Sequence, residues 1–330
     1  MSIKISGFTF SKNAEKLNFP IAASIESVLP MVDEFVVALG DCDSDDKTRE
    51  EILAIRSDKI RIIDTRWDRV SFPNNTVYAQ QTDLAKAHCS GDWLIYIQND
   101  EVIHQEDIKK IKEACNDYFD NRNVDGFVFE YVHFWGDYEH YHKAHNWYPY
   151  EIRIIRNDER IHSWRDAQSF RKFGEFDGKY EDYIKKYGTS KLNVLNIGAK
   201  IYHYGWVRPP KVMAEKVRIG NPWLAMGSFG ENKSEALPLS FDYGPMNRLH
   251  LFPGRHPQYM EQRINNYDWG DQLNFTGRKG MNRPLYKHEK LWYRLLSWLE
   301  NNLLGDKRLG GFKNYKLVNS KCSGDLANTA

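Results

Sequence analysis

The sequence predicts an α/β protein with a mostly parallel, Rossmann-like sheet flanked by helices and a mainly helical, irregular C-terminal extension. Three observations carry that reading. Through the first hundred residues, short apolar runs alternate with segments whose apolar positions recur at helical spacing. The runs are almost continuously apolar, as strands covered on both faces must be. From about Pro222 onward Gly, Pro and Asn become frequent and the periodicity weakens.

Taken in order, "IKISGFTF" is a strand, and Asn18 to Leu29 a helix in which Ile21, Ile25 and Val28 share a face. "DEFVVALG" is the second strand; "DDKTREEILAIR" opens with acidic residues suited to a helix N-terminus. "KIRIID" is a third strand, "NTVYAQQTDLAKAH" a third helix and "DWLIYIQ" a fourth strand. A helix from His104 to Phe119 leads to the strands "VDGFVFEYVHFWGDY" and "EIRIIRND". "KLNVLNIGAKIYHYGW" is one or two more strands, broken at Gly198, and "PPKVMAEKVRIG" a helix with prolines in its first turn. A boundary near residue 225 divides a first domain, 1–225, from an extension, 226–330. In the extension "HPQYMEQRINNY" is a short helix and "KHEKLWYRLLSWLENNLL" a longer amphipathic one expected to pack on the first domain. Its residues Leu291, Leu295, Trp298 and Leu299 share a face edged by Lys287, Lys290 and Arg294. That pattern also suits a helix lying on a membrane surface.

Composition removes several classes. With 41% hydrophobic and 28% charged residues the chain is of the folded, globular kind. Lys and Arg number 46 against 45 Asp and Glu, so no global field draws nucleic acid. Four scattered cysteines (Cys42, Cys89, Cys115, Cys322) form neither a zinc knuckle nor a disulfide framework. No stretch approaches the roughly 18 apolar residues of a membrane span, and "MSIKISGFTFSKN" lacks the apolar core of a secretory leader. The expectation is a cytoplasmic chain, with contact to a membrane surface only from the side.

Parallel sheets bind ligands off the carboxyl ends of their strands, and two such ends here are acidic, "GDCDSDD" and "QNDE". Asp41 is suited to accept a hydrogen bond from a base imide or a ribose hydroxyl, with Asp43 beside it and Ser44 or Asp45 capping the next helix. In "QNDE", Asp100 suits a Mg2+ or Mn2+ ion, which holds substrate phosphates through one or two carboxylates. Such an ion neutralises a leaving diphosphate. Glu101 stands behind Asp100 or opens a helix, and Gln98 offers a neutral carbonyl or a hydrogen bond.

The succession of strand, "DCDSDDKT", strand and "GDWLIYIQNDE" resembles glycosyltransferase family 2, whose members have the nucleotide-sugar-binding GT-A fold. That family reads D-D-G-S-x-D-x-T at the first acidic loop; Asp41, Ser44, Asp46 and Thr48 match it in spacing. Asp100 matches the second carboxylate of the family's D-x-D, while Gln98 replaces the first. A bacterial and viral subgroup is similar in Q-x-D-E and in "WYPYEIRIIR" (147 to 156), "DAQSFR" (166 to 171) and "IYHYGW" (201 to 206). The resemblance covers about residues 1 to 220.

It implies inverting transfer from a nucleotide-diphosphate sugar, UDP-sugar first among them, to a hydroxyl of a glycan or glycoconjugate, with Mn2+ or Mg2+ as cofactor. Asp41, Asp43, Gln98 and Asn99 would then face the donor, and Asp100 the metal and diphosphate. His203 corresponds to a late metal-binding histidine, and its imidazole suits Mn2+ better than Mg2+. Asp166 stands where such enzymes place the carboxylate that deprotonates the acceptor; an ion pair with Arg165 or Arg171 is the alternative. Arg208, Lys211 and Lys216 are cations for the diphosphate. Trp135, Tyr138, Tyr141 and Trp147 either line the acceptor side or form a partly buried ring cluster. His140 and His142 share a strand face but lack a spaced third ligand for zinc. Two other classes stay open. A nucleotidyltransferase needs a Gly-rich phosphate loop after the first strand, where "SGFTFSKNAEKL" has one Gly; a carbohydrate-binding module needs none of the carboxylates.

Overall fold

The computed structural model describes residues 3–220, 239–277, 283, 285–305, 308–310 and 313–318. The expected boundary near residue 225 and Cys322 lie outside the described residues.

The first part of the chain is a run of strand–helix–strand units. β1 (Ile5–Ser11), α1 (Ile21–Val28), β2 (Glu34–Leu39), α2 (Thr48–Ala54), β3 (Ile60–Asp64), α3 (Thr76–Lys86) and β4 (Trp93–Tyr96) follow one another. Their strands pair in parallel in the order β3-β2-β1-β4. The α/β expectation holds, and β4 explains why its strands read as unbroken apolar runs. Trp93, Ile95 and Ile97 enter one core with Ile21, Ile25 and Ile111, while Leu94 and Tyr96 enter another with Phe8, Val36 and Ala85. Both faces of the sheet are covered.

The chain then adds β5 (Glu101–Ile103), α4 (Ile108–Asp117), β6 (Gly126–Trp135), β7 (His140–His142), β8 (Tyr150–Arg156), β9 (Ile161–Trp164), β10 (Ser169–Phe173), α5 (Tyr180–Ile184), β11 (Thr189–Trp206) and α6 (Pro210–Gly220). β8 pairs antiparallel with β4, and β6 antiparallel with β8, so the sheet continues as β4-β8-β6-β11-β10-β9. β11 is one long strand, interrupted near Gly198, whose φ of +70° few other residues tolerate. Residues after 238 supply β12 (His250–Leu251), α7 (Glu261–Asn265), α8 (Leu291–Asn302) and β13 (Tyr315–Leu317). β12 pairs with β7 and β13 with β11, so this region extends the same sheet. An aromatic core mixes the two regions, with Phe134, Trp135 and Tyr204 against Tyr243, Met246 and Trp269.

Three local expectations are corrected. Glu101 opens β5 rather than a helix, because it pairs with His203 on β11. Neither Ser44 nor Asp45 caps α2: a turn from Asp43 to Asp46 delays the helix to Thr48, whose N–H donates to Asp46 Oδ1 at 3.0 Å. α8 meets the protein through polar contacts, its buried residue being Glu300, which bonds His145 Nδ1 at 2.6 Å. Leu291, Trp292, Leu295 and Trp298 of α8 are exposed.

Candidate active site

The strand order reverses between β1 and β4: the chain moves outward through β2 and β3, then returns to the other side of β1. Such a switch point leaves a crevice at the carboxyl ends of the two central strands. A cavity of about 300 Å³ lies there. Phe10, Lys12 and Asn13 line it from the end of β1, Gln98, Asn99 and Asp100 from the end of β4. Trp67, Arg69 and Tyr78 from around α3, Asp166, and Trp206 and Lys216 complete the wall.

Asp100 is placed by β5, whose register with β11 sets Glu101 opposite His203; the Asp100 carbonyl accepts from Tyr204 N–H at 2.7 Å. Its Oδ2 lies 3.9 Å from His203 Nε2 and 3.3 Å from Lys216 Nζ. Burial works against the carboxylate, yet Lys216 first, with Arg208 behind it, holds it down to about 2. A chain of hydrogen bonds orients His203. The Tyr148 carbonyl only accepts, so His133 Nε2, 2.8 Å away, carries a proton. Burial keeps His133 and His203 uncharged by lowering both. His133 Nδ1 is then an acceptor for His203 Nδ1–H at 3.0 Å, and His203 Nε2 presents a lone pair toward Asp100. Gly205 preserves the space in front of that pair. A Cβ on it would lie 2.4 Å from His203 Nε2 and 2.9 Å from Asp100 Oδ2.

These residues fit a divalent cation. Two bonds of about 2.1 Å each span up to ~4.2 Å, so one ion reaches both atoms across 3.9 Å. The outward N–H of His203 is engaged, as metal-bound imidazoles require. Among the described residues no group of three or more His, Cys, Asp or Glu is placed to hold a metal ion, so water and substrate oxygens would have to fill the remaining positions. Cations stand beside the pair. Lys216 Nζ also donates to the Gly205 carbonyl at 2.6 Å, and burial pulls its ammonium down to about 7. Arg208 is fully buried, stacks on Phe19 and donates to Gly205 O at 2.6 Å; among the described residues its Nε and Nη2 have no hydrogen-bond partner. Arg208 does not itself line the cavity; its positive charge acts on Asp100 from behind. Lys211 is exposed on α6 and does not line the cavity.

Gln98 faces the cavity but spends its amide on the fold, donating to Ala167 O and Tyr96 OH at 3.3 Å each. Beneath it, Arg153 and Glu101 form a fully buried two-pronged ion pair at 2.8 and 2.7 Å. Tyr131 OH adds a bond to Glu101 at 2.7 Å, and Arg153 Nη1 donates to Gln168 O at 3.0 Å. One guanidinium therefore ties the β4–β5 turn to the β9–β10 hairpin. Asp166 sits at the tip of that hairpin, between Arg165 and Ala167 at φ +59° and +61°. Left-handed backbone at non-glycine residues is costly and clusters at functional sites. Asp166 lines the cavity while remaining exposed at the tip, and the surrounding wall shifts its carboxyl upward by desolvation.

The first acidic loop sits one contact away from the cavity. Asp41 binds Lys12 Nζ at 2.9 Å and accepts from Trp67 N–H at 3.0 Å; both partners line the cavity, Asp41 does not. Asp43 is drawn off by Lys16 at 2.9 Å and does not line the cavity either. Asp46 and Thr48 pin the stretch after β1, accepting from the backbone N–H groups of Lys16, Ala14 and Glu15. The aromatic wall of Phe10, Trp67 and Tyr78, with ring centroids 5.3–5.7 Å apart, was not anticipated. Trp67 and Tyr78 lie in a loop and a helix whose sequence carries no motif. The one signal was Asp41, whose carboxylate holds the Trp67 loop.

Two expected acceptor residues belong instead to the core. Trp135 is 3% exposed and stacks on Trp206 at 4.8 Å, and Tyr138 is 6% exposed beside Tyr204. Strand β6 is covered on both faces, which leaves Trp135 no surface, and Tyr138, just beyond it, packs into the same aromatic core. Trp147 packs on His142 at 4.7 Å. Tyr141 lines a second cavity, described below.

No protein-family model and no curated protein sequence matches the chain. Among solved structures, S. aureus TarS is 16% identical with a TM-score of 0.37, over 66% of this chain and 39% of that one. The glucosyl-3-phosphoglycerate synthase of Mycobacterium tuberculosis, solved with Mn2+, UDP and glucosyl-3-phosphoglycerate, is 17% identical with a TM-score of 0.28, over 40% of this chain and 44% of that one. S. aureus TarS 1-349 with UDP-GlcNAc is 15% identical with a TM-score of 0.36, over 66% and 65%. This chain spans less than half the length of the first two. Likeness at that level decides nothing about function.

Proposed function

We propose that this chain is a glycosyltransferase that takes a nucleotide-diphosphate sugar into the switch-point cavity and passes the sugar to an acceptor hydroxyl. The observation that carries the proposal is the Asp100–His203 pair, two converging lone pairs 3.9 Å apart with Gly205 leaving the space before them. Mg2+ or Mn2+ would be held by Asp100 and His203 and would supply neutralisation of the leaving diphosphate's charge. Lys216 and Lys12 add ammonium groups in the same cavity, and the buried guanidinium of Arg208 adds positive charge behind them. The Phe10–Trp67–Tyr78 wall suits the flat face of a nucleobase. Asn99, bonded to Ser11 Oγ at 2.9 Å, faces the same space. Asp41 acts through Trp67 and Lys12 rather than by touching the nucleoside.

Asp166 takes the role of general base. Its place on a hairpin tip keeps it open to an arriving acceptor, and its carboxylate faces the cavity. It removes the acceptor proton as the hydroxyl attacks opposite the diphosphate, with inversion and no covalent intermediate. UDP and UDP-GlcNAc, the latter bound in a TarS structure, are the first probes. Asp166→Asn should retain UDP binding by calorimetry and lose sugar transfer, and its slow donor hydrolysis, by about a hundredfold or more. Normal turnover in that variant removes Asp166 from the mechanism.

A further inference from the structure

A second cavity, of about 420 Å³, lies between β7, the segment Tyr243–Leu249 and α8. It falls within the usual size range of ligand sites, roughly 300–1,000 Å³. Its charges are one-sided. Lys143, Arg248 and Arg294 line it, and none has an ion-pair partner among the described residues. The carboxylate among the described lining residues, Glu289, is already engaged. Arg283 grips both its oxygens at 2.7 and 2.9 Å, and Tyr286 N–H donates at 2.7 Å. His142, 6% exposed, also lines the cavity, and among the described residues its Nε2 has no hydrogen-bond partner. Tyr141 and the exposed Trp298 provide ring faces. The cavity thus combines surplus positive charge, a buried unpaired polar atom and aromatic walls.

Its position links it to the first site. His142 packs on Trp135 at 4.9 Å, Trp135 stacks on Trp206 at 4.8 Å, and Trp206 lines the switch-point cavity. One aromatic partition separates the two spaces. We infer that the second cavity is a subsite for an anionic saccharide, holding a phosphate or carboxylate group of the acceptor on the far side of that partition from the donor. The inference rests on the glycosyltransferase reading for the word acceptor, but the anion site stands on its own residues. Arg248 and Arg294 supply guanidinium donors to the anionic group, and Trp298 and Tyr141 meet the sugar face.

The test is a tryptophan-fluorescence titration of the full chain with glucose 6-phosphate, glucuronate and glucose at low salt. It is repeated on Arg248→Gln/Arg294→Gln and on Lys143→Gln, with UDP and Mn2+ titrated in parallel. Both altered arginines are exposed, so the variant should keep its fold. At least one anionic sugar is expected to bind at least about tenfold more tightly than glucose, and the double variant to lose that preference. Preference for glucose 6-phosphate over glucuronate assigns a phosphate-bearing acceptor; the reverse assigns a uronate. Equal binding of all three, or an unchanged preference in both variants, overturns the inference. Loss of UDP binding alone would sink the donor reading and leave the subsite in place.

Discussion

At the scale of single residues the site depends on who holds whom. The place of Asp100 at the cavity was legible because parallel sheets gather ligand-facing residues at the carboxyl ends of their strands. His203 was legible as a candidate, but the reason it faces Asp100 was not. It requires the β5–β11 register and the bond from His203 to His133, a pair 70 residues apart. Gln98 shows the opposite case: it sits in a metal-motif position, yet its amide secures the Asp166 hairpin. The expected outcome for His133→Phe is a loss of about 10–100-fold in Mn2+ affinity, because the histidine tautomer is no longer enforced. Gly205→Ala should lose metal-dependent UDP binding to a similar extent, since its Cβ occupies the space before Asp100 and His203. Calorimetry with Mn2+ checks both, and unchanged affinity in the two variants would discard this ligand pair. A further residue answers to pH. Glu151 is 4% exposed with Oε2 unpartnered, and burial lifts it to about 8. Its folded value lies above its unfolded one, so its contribution to stability is fully present below about pH 4.3 and is lost as pH rises through about 8. Urea denaturation of Glu151→Gln should therefore show a stability gain over the parent that grows by up to about 1.4 kcal/mol per pH unit across that window.

At the scale of elements the first four strands and three helices were plain, because two-sided burial writes unbroken apolar runs and helices write period-3.6 stripes. β5 was not. Three residues, Glu101 to Ile103, are too short to show a period, and a leading glutamate resembles a helix start. α8 had the expected pattern but meets the protein by its polar side, since Glu300 finds His145 and Arg308 while the apolar row stays out. The β9–β10 hairpin and the β4–β5 turn are joined by Arg153 and Glu101, both fully buried. Truncating one member of such a pair leaves a buried charge uncompensated, at about 3–5 kcal/mol. Arg153→Met should lower unfolding free energy by that order in urea titrations and loosen the Asp166 tip. A double variant, Arg153→Met/Glu101→Gln, should recover part of the loss. Equal stability of the single variant and the parent would contradict the tie.

At the scale of the whole molecule, a reversal of strand order opens a crevice, and the residues of the candidate site gather around it. The strand–helix alternation made that crevice predictable, and so the carboxylates beside it. The antiparallel half of the sheet, the aromatic core shared with residues after 238, and the second cavity came from long-range pairing that no local pattern records. The central claim is that Asp100 and His203 hold a divalent cation that in turn holds a nucleotide diphosphate. Titrating UDP into the chain by calorimetry, with Mn2+ and then with EDTA, in the parent and in Asp100→Ala, tests it directly. Binding of UDP with Mn2+ is expected to weaken by about tenfold or more in EDTA and to be lost in Asp100→Ala. UDP affinity indifferent to both the metal and Asp100, or no binding under any condition, would contradict it.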